Sequence, residues 1–223
     1  MSINVAIIDY ELGNVRSVSN AFETLGAQVV LTRDSEALSR AECLVLPGVG
    51  SFGDGMRNLK RLGLIDTLNE LVLTQKKPIL GICLGMQLFA RTGHENGTVT
   101  GLGWIDAEVV RFPETLAFDG KPLKVPHVGW NDVRSVRDNP LLGPAGTVQS
   151  YYFVHSYYMK PNHPEDAIGV CDYGMDFTAA IQRDNIFAAQ FHPEKSLKNG
   201  LGLLKNYMVA AEAQVRPGAL EHA

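Results

Sequence analysis

A chain of 223 residues, 45% hydrophobic and 20% charged, is long enough to bury a full core and fits one large or two small domains. Its formal net charge of -4, carried without a block of like charges, argues against a nucleic-acid footprint, and no apolar run approaches the length of a bilayer span. The chain opens into a strand-like run without a charged leader, and Cys43, Cys83 and Cys171 are too few and scattered for a disulfide framework or a zinc ribbon, so a cytoplasmic protein with free thiols is expected.

The first half alternates strand-like and helix-like segments. Residues 5–8 form an apolar strand, and residues 14–25 carry Val15, Val18, Phe22 and Leu25 at helical spacing before Gly26 closes the helix as a C-cap. A second strand is expected at 28–31, a short helix at 36–41 and a third strand at 43–46. A glycine-rich loop over 47–55 leads to a long amphipathic helix at 56–73, a strand at 79–82 and a helix at 84–90. This alternation implies a parallel sheet covered on both faces, with its ligand site beyond the carboxyl ends of the strands.

The second half is rich in Val, Tyr, Phe and Trp between Gly, Pro and Asn, which predicts antiparallel strands within 98–112, 124–136 and 148–159. Further strands are expected at 167–171, 178–182 and 186–191, and a terminal helix at 202–211 packs through Leu203, Leu204, Tyr207 and Met208. No repeat or linker divides the chain. One domain over residues 1–215 is expected, with residues 216–223 as a frayed tail.

Two stretches carry chemistry. In Gly81-Ile82-Cys83-Leu84-Gly85 the cysteine stands where a buried strand gives way to a helix. A sharp turn there brings the two glycine positions toward each other, where only a minimal side chain avoids a clash. A thiol so placed meets the positive end of the helix dipole, which favours a thiolate. The alternative is a buried cysteine that merely follows a strand. In Gln190-Phe191-His192-Pro193-Glu194, Pro193 keeps His192 extended, so the Glu194 carboxylate lies on the side of the imidazole. That suits an acid orienting a ring whose other nitrogen faces a nucleophile; alone, the same residues read as a loop at the end of a strand. Together the two stretches supply the parts of a Cys-His-Glu triad. No His, Cys and carboxylate cluster has metal-ligand spacing, and the Gly-x-Gly pieces make no dinucleotide or phosphate loop, so no metal or cofactor is expected.

Gly81 to Gln87 together with Phe191 to Glu194 resembles the class I (triad) glutamine amidotransferases, which release ammonia from glutamine for a synthase partner. Asp9-Tyr10 with Gly13-Asn14, Pro47-Gly48-Val49-Gly50-Ser51-Phe52-Gly53, His127-Val128-Gly129-Trp130-Asn131, Tyr152-Phe153-Val154-His155-Ser156-Tyr157 and the Lys195-Ser196 extension are similar, within that class, to the glutaminase subunits of imidazole glycerol phosphate synthase. The likeness runs from about Asn4 to about Met208, with Glu11 standing where the family commonly has glycine.

The resemblance implies a flavodoxin-like α/β fold, with a central mixed, mostly parallel sheet flanked by helices and antiparallel additions in the second half. It assigns Cys83 as nucleophile, His192 as general base and acid, and Glu194 as the orienting carboxylate. Backbone N–H groups of Leu84 and of the Val49 and Gly50 loop form the oxyanion hole. Gly48, Gln87, Ser156 and Tyr157 contact glutamine, although Gln87 alone also reads as a solvent-facing helix residue. Asn14, His127, Trp130 and Lys195 meet the partner, a (β/α)₈-barrel cyclase, around the ammonia exit; a bare Lys195 also reads as a solvated charge. The Tyr151 to Phe153 cluster reads as core packing. Competing readings are another triad glutaminase, of the pyridoxal phosphate synthase or anthranilate synthase type, and a non-catalytic regulatory subunit on the same fold.

Overall fold

The computed structural model describes residues 3–216, so the expected tail lies, apart from Arg216, outside the described residues. Strands Asn4–Ile8, Cys43–Gly48 and Ile79–Cys83 are apolar at almost every position because both faces of their sheet are covered. Alternate side chains feed two cores. Val5, Ile7, Cys43, Val45, Leu80 and Ile82 pack with Val18 and Phe22 of helix Val15–Thr24 and with Leu203, Leu204 and Tyr207 of helix Leu197–Val215. Ala6, Ile8, Leu44, Leu46 and Ile79 pack on the other side with Phe52, Met56 and Leu59 of helix Phe52–Arg61, and with a second sheet through Ile105, Val109 and Met159.

The main sheet among the described residues has nine strands, in the order Val148–His155, His127–Ser135, Ala167–Asp172, Asp176–Arg183, Ile186–Ala189, Ile79–Cys83, Cys43–Gly48, Asn4–Ile8 and Gln28–Thr32. The last five pair in parallel and the remaining pairings are antiparallel. The sheet is therefore mixed, as expected, but evenly divided rather than mostly parallel. The strands of residues 127–135, 148–155, 167–172 and 176–183 extend it, while Ile105–Arg111 and Tyr157–Pro161 belong to a separate four-stranded sheet. Its parallel part places the two central loops, after Ile8 and after Gly48, where neighbouring connections leave in opposite directions, the usual position of a ligand crevice.

Several boundaries differ from the sequence reading for local physical reasons. The loop expected over 47–55 shrinks to residues 49–51, because Ser51 caps a helix that begins at Phe52, its hydroxyl accepting from the Asp54 N–H at 3.1 Å. Gly53 and Gly55 lie inside that helix; a Cβ on Gly55 would come within 2.9 Å of Leu88, so the glycine permits close helix packing rather than a turn. The helix expected over 56–73 is interrupted at Gly63, with φ 68°, and its last turn, Glu70–Thr74, is a π-helix. The helix after Cys83 stops at Leu88, and Ala90–Gly93 enters the second sheet. The strand expected over 148–159 breaks at Ser156, where the chain passes from the main sheet to Tyr157–Pro161 of the four-stranded sheet. That crossing carries Ser156 and Tyr157 to the carboxyl end of the central strands. Among the described residues no helix is long and apolar enough to cross a membrane.

Candidate active site

Cys83 holds φ 53° and ψ -109°, a left-handed conformation unusual for any residue but glycine, at the junction of strand Ile79–Cys83 and helix Leu84–Leu88. The flanking glycines make the turn possible, but not by facing each other. A Cβ on Gly81 would lie 2.8 Å from the Met86 nitrogen and 2.6 Å from the Phe89 ring, and one on Gly85 would lie 1.8 Å from the Leu46 carbonyl oxygen. The elbow is thus seated on its own helix and on the neighbouring strand.

Over it lies a cavity of about 360 Å³, the size for a small amino acid, bordered by Val49, Gly50, Cys83, Leu84 and Gln87. Ser156, Tyr157 and His192 close it from the other side. His192 is extended at φ -100° and its Nδ1 lies 2.8 Å from Glu194 Oε1, both side chains almost wholly buried. A carboxylate only accepts, so Nδ1 carries the proton and Nε2 is the atom free to exchange one. Nε2 makes no regular hydrogen bond among the described residues. Burial works against the imidazolium, but the Cys83 sulfur and then Glu194 outweigh it and push His192 up to about 9.

Behind these residues runs a hydrogen-bonded chain. Gln87 is buried, its Nε2 donating to the Tyr157 carbonyl at 2.9 Å and to Gln190 Oε1 at 3.1 Å; Gln190 Nε2 points at Cys83 Sγ, 3.7 Å away. The solvent-facing alternative for Gln87 is excluded, and its carbonyl oxygen is left as an acceptor at the pocket. His155, also on the pocket wall, has Nδ1 2.8 Å from the same Tyr157 carbonyl and Nε2 3.1 Å from His127 Nδ1. The carbonyl can only accept, so His155 donates from Nδ1 and His127 donates to it, both rings being neutral. Burial lowers His127 to about 4 and His155 to about 3.

These depressed values carry a stability prediction. Below the unfolded value of 6.5 the denatured chain takes up protons at both rings while the folded chain does not, so this contribution to stability is complete above pH 6.5 and lost on acidification toward about 4 for His127 and about 3 for His155. The raised His192 adds no slope in that window, since its contribution is complete below 6.5 and lost only toward 9. The melting temperature should fall between pH 6.5 and 4, by roughly 2–4 °C per kcal/mol in a domain of this size. The fall should be shallower in His127→Gln, as read by thermal circular dichroism.

Two sequence assignments move. Gly48 does not line the cavity but lies behind it, where a Cβ would fall 2.3 Å from the Tyr10 hydroxyl and 2.7 Å from Leu84 Cβ. His127, expected at a partner surface, is 2% exposed and stacked on Tyr173 with ring centroids 4.0 Å apart. Strand parity is the reason. His127 and Trp130 are three residues apart on strand His127–Ser135 and point to opposite faces. The outward face pairs Val128 with Val154 and Trp130 with Tyr152, leaving Val128, Trp130 and Val154 exposed; Lys195 sits 5.9 Å over the Tyr152 ring. Asn14 precedes the helix whose Ser17 shares a groove with Lys195. Glu11, at φ 67°, ties its loop to Arg33 at 2.9 Å and to Arg61. Gln190 and His155 were not singled out from sequence, although Gln190 stands two residues before His192, a spacing that puts extended residues on one side.

Known proteins match this chain closely. A family profile described as "Glutamine amidotransferase class-I" covers residues 6–211. "Imidazole glycerol phosphate synthase subunit HisH 1" of Campylobacter jejuni subsp. jejuni serotype O:23/36 is 49% identical over 91% of this chain and 98% of its own length. "Imidazole glycerol phosphate synthase subunit HisH 2" of Pseudomonas aeruginosa is 45% identical over 92% of this chain and 98% of its own. Among solved structures, one described as "Structure of PurLQS from Thermotoga maritima" superposes with a TM-score of 0.72 at 16% identity, over 94% of this chain and 99% of that one, which is a likeness of fold. The chain belongs to the class-I glutamine amidotransferase family and, within it, to the HisH subunits of imidazole glycerol phosphate synthase.

Proposed function

We propose that this chain is the glutaminase subunit of an imidazole glycerol phosphate synthase, hydrolysing L-glutamine to glutamate and passing the ammonia to a cyclase subunit in histidine biosynthesis, in the cytoplasm. The observation that carries the chemistry is the convergence of Cys83 with the Glu194-bound His192 ring on one cavity. Cys83 gives its proton to His192 Nε2 and its sulfur attacks the amide carbon of glutamine. His192 returns the proton to the departing nitrogen, ammonia leaves, and water hydrolyses the thioester with the same ring as base. Glu194 keeps the ring oriented and supports its cation.

Negative charge develops on the amide oxygen in both halves of the reaction. The Leu84 N–H at the start of its helix and an N–H of the Val49 and Gly50 loop are the donors that meet it. Gly50 holds φ 104°, a conformation open to glycine, so the peptide before it can turn over. Loss of one such donor costs on the order of 10²–10³ in turnover, so the Val49 N–H acts as a switch set by the partner. Gln87, Ser156 and Tyr157 hold the glutamine.

The partner is a (β/α)₈-barrel cyclase that closes the imidazole ring with the ammonia, and the chains form a heterodimer. Its contact surface is the exposed ladder of Val128, Trp130 and Val154 beside Lys195, which borders the cavity through Val154. Lys195 meets a carboxylate there. The test is glutamate release by this chain with and without the barrel subunit and its nucleotide ligand. A rise of at least about 10²-fold in the presence of both is expected if one oxyanion donor is being supplied. No release in either state, or stimulation by a different synthase alone, overturns the reading.

A further inference from the structure

The chain Tyr157 carbonyl, Gln87, Gln190, Cys83 has a direction. The carbonyl oxygen carries only lone pairs, so the Gln87 group 2.9 Å from it is the NH₂. The second hydrogen of that NH₂ points to Gln190 at 3.1 Å, which makes the facing atom of Gln190 its oxygen. The carboxamide is planar, so the other end of Gln190, the end 3.7 Å from the sulfur, is the NH₂. Turning Gln190 over would set two donors against each other at Gln87 and, once the thiol has lost its proton, two acceptors against each other at the sulfur. Gln190 is fully buried, so bulk solvent does not make up that loss.

We infer that Gln190 is a catalytic residue: its side-chain N–H, held in orientation by Gln87 and the Tyr157 carbonyl, donates to the Cys83 sulfur and stabilises the thiolate. Cys83 keeps both electrons of its S–H bond when the proton passes to His192 Nε2. The charge that forms is met from the interior by Gln190, which is not part of the cavity wall, while the cavity side of the sulfur remains open to the amide carbon. The oxyanion donors meet charge on the substrate oxygen, which develops only after attack. Gln190 serves the earlier step. The same carbonyl also receives the His155 N–H at 2.8 Å, so the backbone that holds glutamine and the donor that holds the thiolate are anchored to one oxygen.

The inference rests on the reading of Cys83 as the glutaminase nucleophile, and its test does not need glutamine. The full-length chain is alkylated with iodoacetamide across pH 5–10 and the modification at Cys83 is followed by peptide mass spectrometry, in the native protein and in Gln190→Met and Gln87→Met. Hydrogen bonds to a charged group correspond to roughly one pH unit or more. Half-maximal alkylation is therefore expected to move up by about one unit in Gln190→Met, with labelling well below the native midpoint reduced about tenfold. Gln87→Met, which frees Gln190 to rotate, should move it in the same direction by less. A Gln190→Met profile superimposable on the native one, with the melting curve retained, overturns the inference. If that variant does not fold, an unmoved Gln87→Met profile overturns it. A native chain that labels as expected but releases no glutamate with its partner sinks the glutaminase reading and leaves the thiolate contact standing.

Discussion

Cys83→Ala is expected to lower partner-stimulated glutamine hydrolysis by on the order of 10⁴–10⁶, the loss seen when a nucleophile is removed from a triad that acts as a unit. Its stability should barely change, because alanine keeps the Cβ and the backbone strain of the elbow. Cys83→Gly should be as inactive but more stable than the native chain by about 1 kcal/mol or more. The residue sits at φ 53° and ψ -109°, and that conformation costs an L-residue of order 1–3 kcal/mol while glycine adopts it freely. Urea unfolding beside a coupled glutamate assay reads both quantities. A glycine variant less stable than the alanine one would mean that the elbow stores no strain at the nucleophile, and surviving turnover in either variant would remove Cys83 from the chemistry.

Gly85→Ala is the substitution expected to do most damage without touching a reacting group. The added carbon would stand 1.8 Å from the Leu46 carbonyl oxygen and 2.8 Å from its carbon, both backbone atoms of the adjacent strand, so no side-chain rotation relieves it. Helix Leu84–Leu88 or strand Cys43–Gly48 must move, and the strand leads into Val49 and Gly50. Overpacking of this kind costs about 1–3 kcal/mol or more, and displacing the elbow by 1 Å costs about 10²-fold in rate. The expected result is a soluble or marginally folded chain with loss of glutaminase activity beyond what its stability explains. Full activity in Gly85→Ala would show that the strand and helix are free to separate. By contrast Gly26, which unlike Gly85 is at positive φ, has no atom within 4 Å of a built Cβ, so an alanine there is penalised by its backbone conformation rather than by a clash.

Much of this protein is legible along the chain because its signals are local. A thiol between two glycines at a strand-to-helix junction, and an imidazole two residues before a carboxylate, each depend on a few consecutive residues. The 2.8 Å contact between His192 and Glu194 follows from that spacing. The alternation of strand-like and helix-like segments in the first half implies a sheet covered on both faces, again from patterns a few residues long. Reading glycines as loop was less secure, since Gly53 and Gly55 lie in a helix that Leu88 approaches closely.

What the tertiary structure alone decided is which distant groups meet and which face each strand presents. The family resemblance groups His127 with Trp130 as partner contacts, but pairing against Val148–His155 buries one and exposes the other. The even division of the sheet, the break at Ser156 and the donor on the Cys83 sulfur were equally out of reach of local pattern. Spacing along a strand determines only the side on which a residue lies relative to its neighbours. The partner on that side is supplied by chain tens of residues away, and the Tyr157 carbonyl, which can only accept, then dictates the direction of every hydrogen bond that leads from it to the sulfur.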